Sequence, residues 1–418
     1  MHAHFVIALV LQSLLTIGIL SSLLFYLVSY AEARRFFRRR RAPHRSNGSE
    51  TRLPGMTVLK PLKGLDVDLY RNLSTFCEQD YPEFQVLFGV ADADDPAVRV
   101  VRRLQATYPG IDIGLVIDSH VYGTNAKVSN LHNMYRTAKH DVIVIADSDI
   151  RVGRDYLRRL AAELHDPGVG LVTCLYRALS TGGLPSLVEA LFINTDFVPL
   201  VMVALVVERP RYTFGATIAL RRSTLDAIGG FLPLANYLAD DYHLGYRVVE
   251  RGFRLVISDL VVETVLATGG WRRLLDHQLR WARTNRNCRP AGYFASIVTH
   301  GTLWASLNLL YNHFSPIACL LAALVYAVRA GTARAICKRY LQAPMTRAAT
   351  LLLPLKDLFV SAVWGLCFLG NRVRWGGDEF RVLKGGHIVA VGPVASREPA
   401  VVAYPPAREE RDRYPASL

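Results

Sequence analysis

Aspartates, a lysine and an arginine recur in this chain at positions suited to handling a phosphorylated substrate. Asp92 follows the apolar run Val86-Leu87-Phe88-Gly89-Val90, and Asp147-Ser148-Asp149 follows Val142-Ile143-Val144-Ile145-Ala146. Asn125 and Lys127 lie between them in Gly123-Thr124-Asn125-Ala126-Lys127-Val128-Ser129-Asn130, and Asp241 opens a later helical pattern in Ala239-Asp240-Asp241. His277, Arg280 and Trp281 are spaced i, i+3, i+4 and so share one helix face. Two acidic clusters facing one cleft repel unless positive charge sits between them. A divalent cation carrying phosphates fits that place; helix caps and turns are the alternative use of such aspartates. The set also matches what is needed to move a sugar off a nucleotide diphosphate. One acid holds the base or ribose, and an Asp147/Asp149 pair holds Mg²⁺ or Mn²⁺ where diphosphate charge develops. A basic side chain holds phosphate oxygens, and a separate carboxylate takes the acceptor hydroxyl's proton.

The elements that must position these residues read as an α/β sheet. Met56-Thr57-Val58-Leu59 starts a strand, Asp68 to Gln79 a helix, and Ile111 to Ile117 a third strand, with helices after Asp95-Pro96 and after Asn125. Short Val/Ile-rich runs alternating with helical patterns through Leu164 imply strands covered on both faces, with any ligand crevice outside their carboxyl ends. Val169 to Tyr176, Tyr212 to Leu220 and Phe253 to Ile257 read as further strands. Ser223 is the expected cap of a short helix ended by Gly229-Gly230, and Trp271 to Arg286 is a charged helix.

Of the 418 residues 51% are hydrophobic, and the mean hydropathy is +0.19, which is apolar for a soluble enzyme. Phe5 to Tyr30 carries no charge and has the length of a membrane helix. Arg34, Arg35, Arg38, Arg39, Arg40, Arg41 and Arg45 follow it, the reverse of a cleavable signal peptide. They orient the next domain toward the cytoplasm and suit anionic inner-leaflet lipids. The net charge of +14 therefore has a membrane explanation, and no nucleic-acid module is expected. Six scattered cysteines without a CxxC argue against a disulfide framework or structural zinc. Leu184 to Val207 is apolar but broken by Glu189, Asn194, Asp196 and Pro199, and reads as an interfacial or site-covering helix pair. Thr302 to Val328 and Ala349 to Leu369 are candidate C-terminal spans, although basic residues flank both and single crossings cannot place all of them on one side. The expected organisation is a membrane helix over 1–33, a basic linker over 34–55, a catalytic domain over 56–292, a membrane region over 293–370 and a partly disordered tail over 371–418.

Over roughly residues 56 to 295 the sequence resembles the ceramide glucosyltransferase family of inverting glycosyltransferases. That family carries spaced aspartates followed by a (Gln or Arg)-x-x-Arg-Trp motif. Asp92, Asp147 and Asp241 fit the aspartates, and Arg280-Trp281 fits the end of the motif. The motif's first position is His277, with Gln278 adjacent, so either could serve the donor. The resemblance implies a GT-A type domain with a mixed, mostly parallel sheet between N-terminal and C-terminal transmembrane helices. It implies Asp241 as catalytic base, and Asp92, Asn125, Lys127, Asp147, His277, Gln278, Arg280 and Trp281 as residues for a UDP-sugar donor. Asp147 and Asp149 would hold the metal, and a membrane lipid would be the acceptor. The phrases around Lys127, Asp147, Gly215 and Arg280 look most like the bacterial hopanoid-biosynthesis branch. That branch implies transfer of N-acetylglucosamine to bacteriohopanetetrol at a bacterial inner membrane. Glucosylation of ceramide, a polysaccharide synthase and a non-catalytic membrane scaffold are the alternatives.

Overall fold

The computed structural model of the chain describes residues 2–40, 53–266 and 269–392. Most of the basic linker, residues 41–52, and the Pro/Ala-rich tail from residue 393 lie outside the described residues. One helix, α1 (His2–Arg40), precedes an eight-stranded sheet. Its strands are β1 (Met56–Pro61), β2 (Phe84–Val90), β3 (Asp112–Ile117), β4 (Val142–Ile145), β5 (Ile150–Arg151), β6 (Val169–Ser180), β7 (Ile218–Arg221) and β8 (Arg254–Leu266). They lie in the order 3-2-1-4-7-6-8-5. The strands β3, β2, β1 and β4 run parallel, β7 is antiparallel to β4 and β6, and β5 is antiparallel to β8, so the sheet is mixed as expected.

Strand side chains alternate between two cores. Leu59, Leu87, Ile143 and Ile145 point to one face, and Val58, Val86, Phe88 and Val144 to the other. Helices α2 (Leu69–Cys77), α3 (Ala97–Thr107) and α5 (Tyr156–Leu164) cover the second face, while α4 (Ala126–Tyr135) covers the first. Each fully buried Leu, Val or Phe contributes about 1.5–3 kcal/mol. The first core also takes in Ala33 and Phe37 of α1, so sheet and membrane helix share one interior. The chain visits β2 and β3 on one side of β1 before returning to β4 on the other. That reversal opens a crevice above the carboxyl ends of β1 and β4.

The apolar run between β6 and β7 is one continuous helical stretch: α6 (Leu184–Phe192), a π turn (Ile193–Phe197) and α7 (Val198–Val207). Its 24 residues, at a hydropathy of 2.2, are long and apolar enough to cross a membrane. Potential spans are therefore not confined to the two ends of the chain, as the sequence suggested. The polar breaks have internal partners: the Asn194 amide pairs with both backbone groups of Ala178 at 2.8 and 3.0 Å, and Asp196 turns into a buried charge cluster. Beyond it, the strand expected over Tyr212 to Leu220 shrinks to β7, because the Gly215 backbone serves two aspartates instead of a ladder. Helix α8 (Arg222–Ala227) starts directly from the strand, which puts Ser223 inside its first turn rather than at its cap. Gly229 and Gly230, at φ +87° and +71°, end that turn, and α9 (Asp240–Glu250) follows.

After β8 come α10 (Trp271–Cys288), α11 (Pro290–Ala295), α12 (Gly301–Tyr311), α13 (Pro316–Ile336), α14 (Arg347–Leu351) and α15 (Leu353–Leu366). The α12–α13 pair is a hairpin turning through His313 and Phe314 at φ 49° and 57°. Helix α12 runs antiparallel to α1, with Tyr311 bonding Ala8 and Tyr26 bonding Thr299. The end of α13 returns to the end of α1, where Tyr340 stacks on Phe37 at 5.0 Å. Their basic ends thus leave on one side, which removes the charge conflict that single crossings create. The candidate span over Ala349 to Leu369 is divided at Leu352 into α14 and α15, and it is not among the three helices of the described residues that are long and apolar enough to cross a membrane. Helix α15 has 14 residues and, at about 1.5 Å each, covers about 21 Å against a hydrocarbon core of about 30 Å. Residues 372–390, expected as tail, instead form an antiparallel sheet of β9 (Arg372–Trp375), β10 (Asp378–Val382) and β11 (Ile388–Ala390). It docks beside the crevice, with Ile388 N–H donating to Asn236 O at 2.9 Å and Leu238 N–H to Gly386 O at 3.0 Å.

Four charges tie this assembly together. Arg329 of α13 pairs with Asp196 at 2.6 Å and Asp357 at 3.0 Å, and Lys356 of α15 contacts the same two carboxylates. Thr302 donates to Asp357 at 2.7 Å, and Arg329 lies over the Tyr26 ring of α1. Two cations against two anions leave no net buried charge, but removing one member strands the rest. Arg329→Met should therefore destabilise the protein by about 3–5 kcal/mol. Thermal unfolding of the purified protein in detergent checks this; an unchanged melting temperature would contradict the network's structural role.

Candidate active site

A cavity of about 1730 Å³ lies above the carboxyl ends of β1 and β4. Its polar wall includes Asp92, Lys127, Asp147, Asp149, Asp240, Asp241 and Arg280. Its apolar wall includes Phe197, Leu200, Val203 and Val207 on or beside α7, with Phe25 of α1 and Trp364 of α15.

The carboxylates arrive on strand and helix ends. Asp147 follows β4, and its backbone N–H donates to Gly215 O at 3.3 Å. Asp241 sits in the first turn of α9, where Oδ2 accepts from Gly215 N–H at 3.0 Å and Oδ1 from Tyr242 N–H at 2.7 Å. Gly215 thus spans the two aspartates, its N–H donating to the Asp241 carboxylate and its C=O accepting from the Asp147 backbone N–H. A Cβ on it would lie 2.6 Å from Asp147 Oδ2, so any side chain there would force the Asp147 carboxylate to shift. Asp149 accepts from Thr264 Oγ at 2.6 Å. Asp92, just past β2, is exposed at the edge of the cavity, its Oδ1 accepting from Asp94 N–H at 2.9 Å.

Two lysines hold these acids together. Lys127, in the first turn of α4, pairs with Asp147 Oδ1 at 2.6 Å and Asp240 Oδ2 at 3.4 Å. Burial alone would push its ammonium down, but Asp147, Asp240 and Asp241 outweigh this and hold it well above the usual lysine range. Lys60, at the end of β1, is fully buried under the Asp147–Asp149 turn, donates to Asp147 O and lies 4.0 Å from the Phe76 ring centroid. Burial pushes it down to about 7, against the pull of Asp149, Asp147 and Asp66. Burial and the neighbouring Asp147 push Asp149 up to about 6, while the Thr264 hydrogen bond opposes them. Burial and Asp240 push Asp241 up to about 6 as well, with Lys127 acting the other way.

The remaining expected residues fall into two groups. Asn125 is fully buried and caps α4: its Oδ1 accepts from Val128 N–H at 3.1 Å, and its Nδ2 donates to Tyr237 O at 2.8 Å. It therefore shapes the loop carrying Lys127 and is not part of the cavity wall. His277, Gln278, Arg280 and Trp281 all line the cavity from α10. Arg280 makes no side-chain hydrogen bond among the described residues; burial works against its charge, which Asp147 and Asp241 support. His277 Nδ1 contacts Glu189 Oε1 and its ring lies 4.5 Å from Trp281, while Gln278 is buried with its Nε2 unpartnered. Glu189 and Lys60 are cavity or turn residues that the motif reading did not single out. Their signals were a carboxylate inside an apolar helix and a lysine ending a buried strand.

The acids suit a hard divalent cation carried by phosphates. Asp147 keeps Oδ2 and Asp149 keeps Oδ1 free of hydrogen bonds among the described residues. No group of three or more His, Cys, Asp or Glu among the described residues could enclose a metal, so a cation on Asp147 and Asp149 would need its other ligands from substrate and water. All six cysteines are free.

The profile of glycosyl transferase family 21 matches residues 14–388. Among curated relatives, ceramide glucosyltransferase 3 of Caenorhabditis elegans is 27% identical over 242 residues, 57% of this chain and 52% of the relative. Ceramide glucosyltransferase 1 of the same organism is 30% identical over 208 residues, 49% and 44% of the two chains. The chain thus matches about half the length of these relatives. A solved mannosyltransferase from Pyrobaculum calidifontis, in complex with GDP-Man and Mn²⁺, aligns over 85% of this chain and 99% of its own at 22% identity, with a TM-score of 0.48. The relatives overturn the hopanoid N-acetylglucosamine reading, since they are ceramide glucosyltransferases. They are nematode and fungal, which also removes the ground for a bacterial inner membrane, while the multi-pass topology stands. With an α/β glycosyltransferase-like sheet, several potential membrane spans and a profile match across most of its length, this chain belongs to glycosyl transferase family 21.

Proposed function

We propose that the protein transfers glucose from UDP-glucose to the primary hydroxyl of a ceramide-type lipid. The observation that carries the reading is one cavity with carboxylates and Arg280 on one wall and the apolar side of α7 on another. A lipid can lie along the apolar wall while its hydroxyl reaches the acids. The similarity to ceramide glucosyltransferases favours ceramide as that lipid and glucose as the sugar.

In this reading Arg280 and Lys127 bind the donor diphosphate, the free guanidinium offering a planar, forked set of donors. Asp92 lies at the exposed edge for the nucleoside. Asp147 and Asp149 would hold Mg²⁺ or Mn²⁺, which supplies charge neutralisation to the leaving diphosphate. The acceptor oxygen forms a bond to the anomeric carbon as the bond to the diphosphate oxygen breaks, and the electron pair leaves on UDP. Asp241 takes the acceptor proton, and a single displacement inverts the anomeric centre. Its elevated pKa suits this work, since a base acts best near the operating pH. The direct test is incubation of purified protein with UDP-glucose, a divalent cation and ceramide, with the lipid read by mass spectrometry. Glucosylceramide supports the reading; a panel of lipids returning no glucosylated product would sink it.

Three consequences follow for the acids. Asp241→Asn should keep donor binding but lower kcat by about 10²–10⁴, measured by calorimetry and product assay. The base works only when ionised, so kcat should climb with pH through about 6 and level off above it. A flat profile from pH 5 to 7 would contradict the assignment. Gly215→Ala should push a methyl into Asp147 Oδ2 and weaken metal-dependent donor binding at least ~10-fold, the scale of one charged hydrogen bond. Unaltered donor affinity in that variant would show that the Asp147 geometry is not needed.

A further inference from the structure

Two acids interrupt the 24-residue apolar stretch of Leu184–Val207. Asp196 is matched by Arg329 and Lys356. Although Arg280 acts on it at longer range, Glu189 makes no ion pair with a lysine or arginine among the described residues. Its one hydrogen-bond partner among the described residues is His277 Nδ1. Burial opposes protonation of that imidazole, although Glu189 itself pulls the other way. A carboxylate in an apolar helix is costly unless something uses it. Glu189 lines the cavity one turn before Phe192, whose ring lies 5.9 Å from Trp281. A second, independent observation lies in the wall of the same cavity: Gln278, 3% exposed, has a buried amide Nε2 with no partner among the described residues.

We propose that Glu189, oriented by His277, is a specificity-determining residue that accepts hydrogen bonds from hydroxyl or amide N–H groups of the substrate beside the reacting centre, with Gln278 donating to an oxygen of the same group. The chemistry is complementary: an ionised carboxylate only accepts, a free amide N–H only donates, and a hydroxy-amide or polyol presents both. A site built this way rejects analogues that lack the donor, because its own polar atoms are then left unpaired. Glu189 stands on the helix that continues into the apolar wall, which puts it where a lipid's polar head meets its chain. A sugar of the donor presents the same hydroxyl chemistry, and the two sources are separable. The inference rests on the transferase reading.

The test is Glu189→Gln, with His277→Gln as the conservative companion that can still donate to Glu189. Donor affinity is first measured by calorimetry with UDP-glucose and Mn²⁺ alone; wild-type protein that binds no donor fails the transferase reading, not this one. Kinetics then use ceramide and an analogue whose secondary hydroxyl and amide N–H are methylated. The expected result is that Glu189→Gln raises the acceptor KM at least ~10-fold with a smaller change in kcat and narrows the preference for ceramide over the methylated analogue, while His277→Gln retains much of both. A loss in donor affinity instead assigns the same carboxylate to the sugar hydroxyls and upholds the recognition chemistry. Donor affinity, acceptor KM and analogue preference all equal to wild type would overturn it. If Glu189→Gln melts early, Glu189→Asp, which keeps the charge but shortens the reach, must show the same loss of preference; retention there also overturns it.

Discussion

The site depends on keeping several carboxylates within one crevice without letting them neutralise one another by protonation. Asp147, Asp149, Asp240 and Asp241 meet where β1 and β4 end and α9 begins, and like charges at such range drive protons onto one another. Lys127 and Lys60 answer this from opposite sides: Lys127 bridges Asp147 and Asp240, and Lys60 lies under the Asp147–Asp149 turn. The compensation is partial, as the raised Asp149 and Asp241 show. These two elevated carboxylates share the cavity with Arg280, which makes no side-chain hydrogen bond among the described residues. Gly215 fixes the spacing, because its backbone touches both Asp147 and Asp241 and a Cβ there would displace the Asp147 carboxylate.

The same bookkeeping of charge explains how the membrane part is attached. Arg329 and Lys356 against Asp196 and Asp357 allow four ionised groups in an apolar setting with no net charge. The π turn at Ile193–Phe197 aims Asp196 at that cluster while leaving the Phe197 ring against Phe214 on the site side, at 4.8 Å. Membrane helices and sheet are therefore one packed body: Phe37 of α1 and Ala333 of α13 belong to the same core as Leu59 and Ile145. The apolar wall along α7 therefore runs to the acids without crossing a domain boundary.

Much of this was legible from sequence because the signals were local. The β2 and β4 runs end one residue before their acidic turns, and periodicity placed α2, α3 and α10 to within a few residues. What was not legible depended on distant partners. Whether Leu184–Val207 is a pair of helices or one stretch turns on Asn194 finding Ala178 and Asp196 finding Arg329. The strand expected through Phe214 and Gly215 was lost because their polar groups go to Thr173, Asp147 and Asp241, none of which is near in sequence. Asn125 read as a donor contact because it stands beside Lys127, yet the helix-capping geometry consumes its amide. The β9–β11 sheet was read as tail because its short strands carry little apolar periodicity; pairing with Asn236 and Leu238 holds it. The finer substrate branch failed for a different reason: short phrases around shared catalytic residues do not encode which lipid is bound.

If one cavity brings a nucleotide-sugar and a lipid to Asp241, an experimental structure with UDP, Mn²⁺ and a ceramide analogue should show both there. The diphosphate is expected between Arg280 and the Asp147–Asp149 turn, with the lipid chain along the apolar face of α7 and its hydroxyl toward Asp241. Nucleotide density elsewhere, or a lipid whose hydroxyl lies away from Asp241, would contradict it.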